Sequence, residues 1–238
     1  MNKKRRYASI SAIILICAVI GIYIVFSQPD MKDNATIGSE SEIIKLPEPA
    51  IDGDVTIERA LLERRSVRDY KEEPITLTEL SQLLWAAQGV TDPRGFRTAP
   101  SAGALYPLEL YVVAGDVEDL PDGIYKYMPQ GHELTEVLKG DKRTVLSNAA
   151  LRQSSIKDAA AVIVFSGVDE RTTGKYGERG IRYVHIEVGH TAQNLYLQAV
   201  SLDLGTVVVG AFEDGEVKRI VDMSEDEDPL LLMPVGKK

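Results

Sequence analysis

The sequence predicts a sandwich of helices and strands, of the α+β or α/β class, which follows an apolar N-terminal segment. Three observations predict it: helical and strand patterns alternate along the chain, the length is 238 residues, and 44% of the residues are hydrophobic. A chain of this length can bury the core of one substantial domain and carry an appendage besides. No repeating period is visible, so we expect neither a solenoid nor a propeller.

The N-terminal part predicts a membrane segment. Residues 1–6 are a basic flank, and residues 7–26 form an almost uninterrupted apolar stretch. About twenty apolar residues are the length that a helix needs to span a bilayer. Because the cations precede this stretch, we expect a single-pass anchor with the N-terminus in the cytoplasm and the domain outside. A cleaved export signal is the alternative, although no small-x-small site follows Phe26. Residues 27–54, with three prolines and several acids, predict a flexible linker.

The elements of the predicted domain, residues 55–238, follow from apolar periodicity and from end signals. Thr76 and Glu79 form a capping box before a periodic apolar stretch that stops at Gly89, which predicts a helix between them. Alternating or continuous apolar runs predict strands, and apolar residues that recur every three or four positions predict helices. The further predicted helices cover residues 57–63, 143–151 and 182–202, and the predicted strands cover 108–114, 123–128, 159–165, 206–209 and 230–235.

Charge and composition exclude several classes of partner. The net charge is −9 although the first 29 residues carry four cations and no acid, so the domain itself is strongly acidic and we expect no nucleic acid partner. The single cysteine, Cys17, lies in the apolar stretch, and the three histidines match no metal-binding motif, so we expect no metal site. The acidic run 225–228 is interpreted as a solvated loop.

The first of three candidate binding segments combines guanidinium groups with a hydroxyl. Arg64, Arg65 and Arg68 surround Ser66. Guanidinium forks bind phosphate oxygens in pairs and stay charged at any physiological pH, which suits a phosphate-bearing cofactor. A solvated basic turn that pairs with its acidic neighbours is the alternative.

The other two segments offer backbone rather than side chains. The second is a turn of small residues between prolines, formed by Pro100, Ser101, Ala102 and Gly103. Small residues let a backbone come close to a planar ring. The third runs from a β-branched strand into Val209 and Gly210, whose only polar groups are N–H and C=O. An ordinary surface turn and a plain core strand are the alternatives for these two segments.

Taken in order, these segments resemble the nitroreductase-like flavoproteins, which bind FMN. Within that superfamily the chain is most similar to the azoline-oxidising dehydrogenases (SagB and ThcOx type) that act in thiazole and oxazole peptide biosynthesis. The closer similarity rests on four stretches, Lys175–Gly177, Arg182–Tyr183, Glu187–Leu195 and Met233–Gly236. The resemblance covers roughly residue 55 to the C-terminus.

The resemblance implies the fold, the cofactor and the cofactor contacts. The fold would be a nitroreductase-like α+β sandwich, with a central, mostly antiparallel sheet flanked by helices, in a homodimer whose flavin sites use both subunits. The arginine segment would hold the FMN phosphate and ribityl chain, and the turn at residues 100–103 would lie against the isoalloxazine. Backbone N–H groups of Val209 and Gly210 would face the flavin N5 and O4 edge.

The resemblance also implies the chemistry. Lys175 and Tyr176 match the position where the azoline-oxidising branch places a Lys-Tyr pair, and either group is a candidate base for the substrate proton. The substrate would be a small molecule or a modified peptide, with oxygen, NAD(P)H or a membrane quinone as the electron partner. Two alternatives remain open: an NAD(P)H-dependent nitro or quinone reductase at the membrane, and a non-catalytic anchored domain. For Lys175 and Tyr176, the alternative is a polar loop without a catalytic role.

Overall fold

The computed structural model describes residues 42–238, which form an α+β sandwich. The predicted anchor at residues 7–26 and most of the predicted linker lie outside the described residues. Between residues 42 and 238, no helix is both long and apolar enough to cross a membrane.

The described chain alternates helices and strands around one large sheet. The helices are α1 (Ile57–Glu63), α2 (Leu77–Gln88), α3 (Arg143–Ala149), α4 (Ser154–Lys157), α5 (Asp169–Tyr176), α6 (Arg179–Ser201) and α7 (Asp214–Val221). The strands are β1 (Ile43–Lys45), β2 (Ile75–Thr76), β3 (Leu108–Ala114), β4 (Val117–Glu118), β5 (Gly123–Met128), β6 (Glu133–Lys139), β7 (Ala161–Gly167), β8 (Leu204–Thr206) and β9 (Asp228–Lys237). Seven strands form an antiparallel sheet in the order β1-β6-β5-β3-β7-β9-β8, and β2 pairs separately with β4.

Both faces of the sheet are buried, as the alternation within its central strands requires. Leu110 and Val112 of β3 point into the core beneath α2 and α6, whereas Tyr111 and Val113 point into the core beneath α3, α4 and α7. Each fully buried aliphatic side chain of this kind contributes about 1.5–3 kcal/mol. Because helices cover both faces, the sandwich has two cores, and α6 lies over only one of them.

The predicted ends of α2 are confirmed. Thr76 Oγ1 accepts a hydrogen bond from the Glu79 N–H at 3.1 Å, and the Glu79 carboxylate accepts one from the Thr76 N–H at 2.8 Å. The helix ends at Gly89, where a Cβ would lie 2.2 Å from the Trp85 ring. A glycine is therefore required there for packing, even though its backbone angles are ordinary.

The long helix α6 begins three residues before its predicted start and is preceded by α5, which the sequence did not predict. The polar, glycine-interrupted stretch that ends at Tyr176 has one buried residue, Thr172, so no apolar periodicity marks it as helical. Gly180 lets the two helices meet, because a Cβ there would lie 2.7 Å from the Thr173 backbone nitrogen. Tertiary packing on α6 thus accounts for a helix that local pattern does not indicate.

The folded region extends into the stretch that was predicted as a linker. Strand β1 pairs antiparallel with β6, and Leu46, just after it, is buried. A three-residue edge strand is too short to show a periodic pattern, which is why the predicted domain began only at residue 55. The predicted strand at residues 206–209 also differs, since β8 ends at Thr206 and Val209 makes only an isolated bridge with Leu232.

The interpretation of residues 225–228 as a solvated loop is wrong for Glu227. Its side chain is 2% exposed and accepts hydrogen bonds from Tyr111, Ser166, Ser224 and Lys126 at 2.7 to 3.0 Å. Four donors, one of them cationic, offset the cost of burying the carboxylate. A run of acids gives no indication of which member turns inward.

Candidate functional site

Helix α6 contacts all three candidate binding segments. Tyr183 and Glu187, in its first half, lie near the turn at residues 100–103 and the Lys175–Tyr176 pair. Tyr196, in its second half, lies between the arginine segment and the stretch that follows β8. The helix therefore serves as the common support of the candidate site.

The arginine segment and the third segment lie side by side. Val67 donates its N–H to the Thr206 carbonyl at 2.9 Å, which places the segment along β8. The Ser66 Oγ is 3.1 Å from the Tyr196 hydroxyl, and the Arg64 guanidinium lies 5.1 Å from the centre of the Tyr196 ring. The structure thus brings together two stretches that are about 140 residues apart in sequence.

The three arginines have different surroundings. The Arg65 guanidinium donates to the carbonyls of Leu62 and Arg64 at 3.0 and 2.7 Å and so closes the C-terminal end of α1. Arg68 is exposed, as is Ser66. The segment therefore forms an exposed basic surface, and its Arg65 also caps the C-terminal end of α1.

The third segment corrects one predicted contact. The Val209 N–H donates to the Leu232 carbonyl at 2.8 Å, so this amide is used within the sheet and does not face a cofactor. The Val208 N–H donates to the Tyr196 hydroxyl, also at 2.8 Å. Among the described residues the Gly210 N–H has no partner, and a Cβ at Gly210 would meet open space. Gly210 is therefore the residue of this segment whose amide is available, and the sequence could not reveal the cross-strand bridge at Val209.

The second segment lies next to Lys175 and Tyr176, the two candidate base residues. Gly103 has φ +65° within a short 3-10 turn, and a Cβ there would lie 2.8 Å from the Tyr176 hydroxyl and 2.9 Å from Lys175 Nζ. Lys175 Nζ lies 5.4 Å from the centre of the Tyr176 ring, which packs edge-on against Tyr183. The interpretation of Lys175 and Tyr176 as a loop is wrong, since they form the last turn of α5. The structure holds both polar groups directly over a glycine of the turn.

A buried polar cluster lies behind this turn. Glu187 is 2% exposed and its Oε1 has no hydrogen-bond partner among the described residues. Burial raises the pKa of Glu187, and the nearby Ser101 hydroxyl, Arg97 charge and Gln88 amide offset this only in part. Arg97 donates to Gln88 at 2.9 Å and lies over the Tyr106 ring. No sequence pattern singled out Arg97, although an acid on the apolar stripe of α6 indicates that a cation lies nearby.

The two halves of the candidate site contact α6 at different heights. Glu187 and Tyr196 are nine residues apart, which corresponds to about 13 Å along a helix axis. The turn at residues 100–103 and the arginine segment thus contact different turns of α6. A separate groove of about 640 Å³, which Trp85 and Asn194 help to line, includes neither of them.

The match to a family model decides the classification. The model of the nitroreductase family matches residues 61–237, a range that includes every segment of the candidate site. The chain belongs to the nitroreductase family. The central antiparallel sheet flanked by helices is accordingly the nitroreductase-like fold, as the resemblance implied.

Two relatives document this nitroreductase fold and sequence. MJ1384 of Methanocaldococcus jannaschii, whose name assigns it to the nitroreductases, is 53% identical over 185 residues, which are 78% of this chain and 92% of that protein. A crystal structure from Ralstonia eutropha JMP134, described as a nitroreductase, superposes with a TM-score of 0.72 at 29% identity and covers 84% of this chain and 91% of the other.

The predicted resemblance to the peptide-modifying branch is confirmed by its relatives. McbC of Escherichia coli, a microcin B17-processing protein, is 25% identical over 157 residues, which are 63% of this chain and 58% of McbC. The chain thus spans little more than half of McbC. A chain of the E. coli microcin synthetase McbBCD complex, solved with truncated pro-MccB17 bound, shares the fold with a TM-score of 0.64 at 22% identity, over 81% of this chain and 77% of the other.

Proposed function

We propose that this member of the nitroreductase family is an FMN-dependent oxidoreductase that oxidises an azoline ring in a modified peptide or a related small molecule. One observation carries the proposal: Lys175 and Tyr176 are held over Gly103, in the turn that the family resemblance assigns to the isoalloxazine. A base and a ring-binding turn are thus adjacent, as proton removal coupled to hydride transfer requires.

The residues of the candidate site fit FMN. Ser66 and Arg68 offer exposed donors for a phosphate and a ribityl chain. The turn at Ala102 and Gly103 presents little more than backbone, and the Gly210 N–H has no partner among the described residues. Bound FMN would supply a two-electron acceptor that takes hydride at N5.

Lys175 and Tyr176 would hold and move the substrate proton. Oxidation of an azoline to an azole breaks two C–H bonds, so one hydrogen leaves as hydride and the other as a proton. The lysine amine or the tyrosine oxygen accepts that proton and releases it to solvent, to which Lys175 is exposed. Oxygen or a quinone would be the final acceptor of the two electrons.

A second copy of the chain would complete the site, as we infer from exposed apolar residues next to it. Ile186 on α6 is 48% exposed, and Leu62, which precedes the arginine segment, is 66% exposed. Large apolar side chains of this kind next to a functional segment favour an interface. We therefore propose a homodimer in which each FMN contacts both subunits. Separately, the apolar residues 7–26, which four cations precede, support a proposed single-pass N-terminal anchor that holds the domain outside the cytoplasm.

An NAD(P)H-dependent nitro or quinone reductase is the second candidate function. It is favoured by MJ1384, which is 53% identical and is named as a nitroreductase. This chemistry needs no Lys-Tyr base, because hydride arrives from the nicotinamide and leaves to a nitro group or a quinone. A membrane anchor would suit a quinone substrate.

The deciding experiment follows turnover of a thiazoline-containing peptide under oxygen. We expect the wild-type protein to form the thiazole and the Lys175→Ala variant to be slower by about 100-fold, within the range of general base catalysis. Lys157→Ala, in α4, is the matched control and should keep the wild-type rate. Equal turnover in all three proteins would remove the assigned base.

Anaerobic addition of NADPH separates the two candidates. Rapid bleaching of bound flavin, with no oxidation of the peptide, would establish the reductase in place of the azoline oxidase. A colourless protein that takes up no added FMN would exclude both and leave a non-catalytic anchored domain.

A further inference from the structure

The geometry points to Tyr196 as a positioning residue that holds the arginine segment and residues 207–210 in one fixed arrangement through its hydroxyl. The inference rests on the proposed function only for the identity of the ligand that the two segments share. The contacts themselves belong to the chain.

The Tyr196 hydroxyl has a partner on each side. It accepts the Val208 N–H at 2.8 Å and shares a hydrogen bond with Ser66 Oγ at 3.1 Å. The side chain is 9% exposed and is fixed on the second half of a helix of 23 residues. A buried ring on a long helix gives the hydroxyl little freedom, so both partners are placed relative to α6 and hence to each other.

Val208 lies between the end of β8 and the bridge at Val209, and among the described residues its N–H has no partner other than the Tyr196 hydroxyl. The next amide, that of Val209, already donates to Leu232, and the reciprocal bond from Leu232 to the Val209 carbonyl fixes the register. The Val208 N–H donates to Tyr196 on α6, outside the β8–β9 ladder. Without the Tyr196 hydroxyl, this N–H is left unpaired or bound to water.

The position of Gly210 depends on these two neighbouring bonds. Val208 is held by Tyr196 and Val209 by β9, so the free Gly210 amide leaves the sheet in a set direction. An amide aimed at a redox cofactor stabilises its reduced, anionic form. Tyr196 therefore sets an electrostatic property of the site without contacting the reacting atoms.

Tyr70 provides a matched comparison. Its hydroxyl lies in the same region and shares its one proton between the carbonyls of Val67 at 3.0 Å and Pro234 at 3.3 Å. Neither bond involves residues 207–210. Loss of the Tyr70 hydroxyl removes the same chemical group from a neighbouring ring, but it leaves the Val208 amide paired.

The first test uses the full-length protein without cofactor. Amide hydrogen exchange is measured for residues 207–210 in the wild type, Tyr196→Phe and Tyr70→Phe. We expect exchange at Val208 to be about tenfold faster in Tyr196→Phe and unchanged in Tyr70→Phe, as loss of one hydrogen bond predicts. Equal exchange in the two variants would overturn the inference, as would a Val208 amide that is unprotected in the wild type.

The second test adds FMN. Titration by flavin fluorescence should give a Kd about tenfold higher in Tyr196→Phe than in Tyr70→Phe, together with a lower midpoint potential. A merely structural role would lower the melting temperature of both variants and leave the potential unchanged, which would contradict the inference. If the wild type binds no FMN while exchange at Val208 still rises in Tyr196→Phe, the proposed function fails and the positioning role stands.

Discussion

At the scale of single residues, the candidate site depends on small side chains and on a few hydroxyl groups. Gly103 leaves the space that the polar ends of Lys175 and Tyr176 fill, and its φ of +65° is one that side chains rarely adopt. Lys175 and Tyr176 can lie this close to the turn at residues 100–103 because position 103 has no Cβ.

Replacement of Gly103 by alanine tests that arrangement. The added methyl group would lie within 3 Å of both polar groups, so the pair must move, and we expect peptide oxidation to fall by about 100-fold. FMN content, measured by absorbance, should stay near that of the wild type. Gly174→Ala is the control, since a Cβ there meets nothing within 4 Å, and it should keep full activity. Full activity in Gly103→Ala would show that the pair does not work over this turn.

The buried acid Glu187 has a pKa that burial raises, which gives a pH signature. When a carboxyl has a higher pKa in the folded than in the unfolded state, its protonated form favours folding. This contribution to the free energy of unfolding is complete below the unfolded pKa and is lost as the pH rises through the folded pKa. Glu187→Gln should therefore gain stability relative to the wild type between pH 4 and pH 8. Urea unfolding at both pH values measures this gain, and a difference that does not change with pH would contradict it.

The sequence predicted side chains that could be recognised by type, and missed those that act through geometry. The arginines and Ser66 are neighbours in sequence, and Lys175 and Tyr176 were identified as candidate bases from the family resemblance. Tyr196 is an ordinary member of an apolar helix stripe, and its role arises only when the chain folds back onto it. Val209 was predicted to contact the cofactor, but its N–H donates to Leu232 in β9, which lies later in the sequence.

At the scale of elements, strong local signals predicted helices and strands well. Helix α2 has a capping box and an end glycine, and β3 was predicted with its observed bounds. Elements β1, β2, β4, β6, α4, α5 and α7 were not predicted. Most of them are short, and the longer ones depend on packing, as β6 does on β1 and β5 and α5 does on α6. A local sequence pattern does not indicate which distant segment an element will pair with.

The loop before β9 is held by Glu227. Burial opposes ionisation of this carboxyl, but hydrogen bonds from Lys126, Ser166 and Ser224 outweigh burial, and its pKa is lowered. Its stabilising contribution is therefore present at neutral pH and is lost as the pH falls through the folded pKa. We expect Glu227→Gln to lower the free energy of unfolding by about 2 kcal/mol at pH 7 and by less at pH 4.

Glu225 supplies the control for that measurement. It is an exposed neighbour in the same acidic run, so Glu225→Gln should leave the free energy of unfolding unchanged. If the two variants unfold alike in urea, the bonds to Glu227 do not hold the loop.

At the scale of the whole molecule, the candidate site is split along α6 and lies beside exposed apolar residues. In the homodimer proposed above, a second copy would cover these apolar residues. Ile186→Glu places a charge on the exposed face of α6 and should raise the dimer dissociation constant by about 100-fold. Light scattering across a concentration series measures the constant.

The matched control is Val145→Glu on α3, where the original side chain is 45% exposed. We expect this variant to remain as dimeric as the wild type. A wild-type protein that is monomeric at every concentration would contradict the shared site.

The most direct measurement is the absorbance spectrum of the purified full-length protein, followed by identification of any released flavin. We expect oxidised-flavin bands and about one FMN per chain, with clear loss of FMN in Arg68→Ala, because a guanidinium that binds phosphate contributes about 1.5–3 kcal/mol. A colourless protein that binds no added FMN would contradict the central claim.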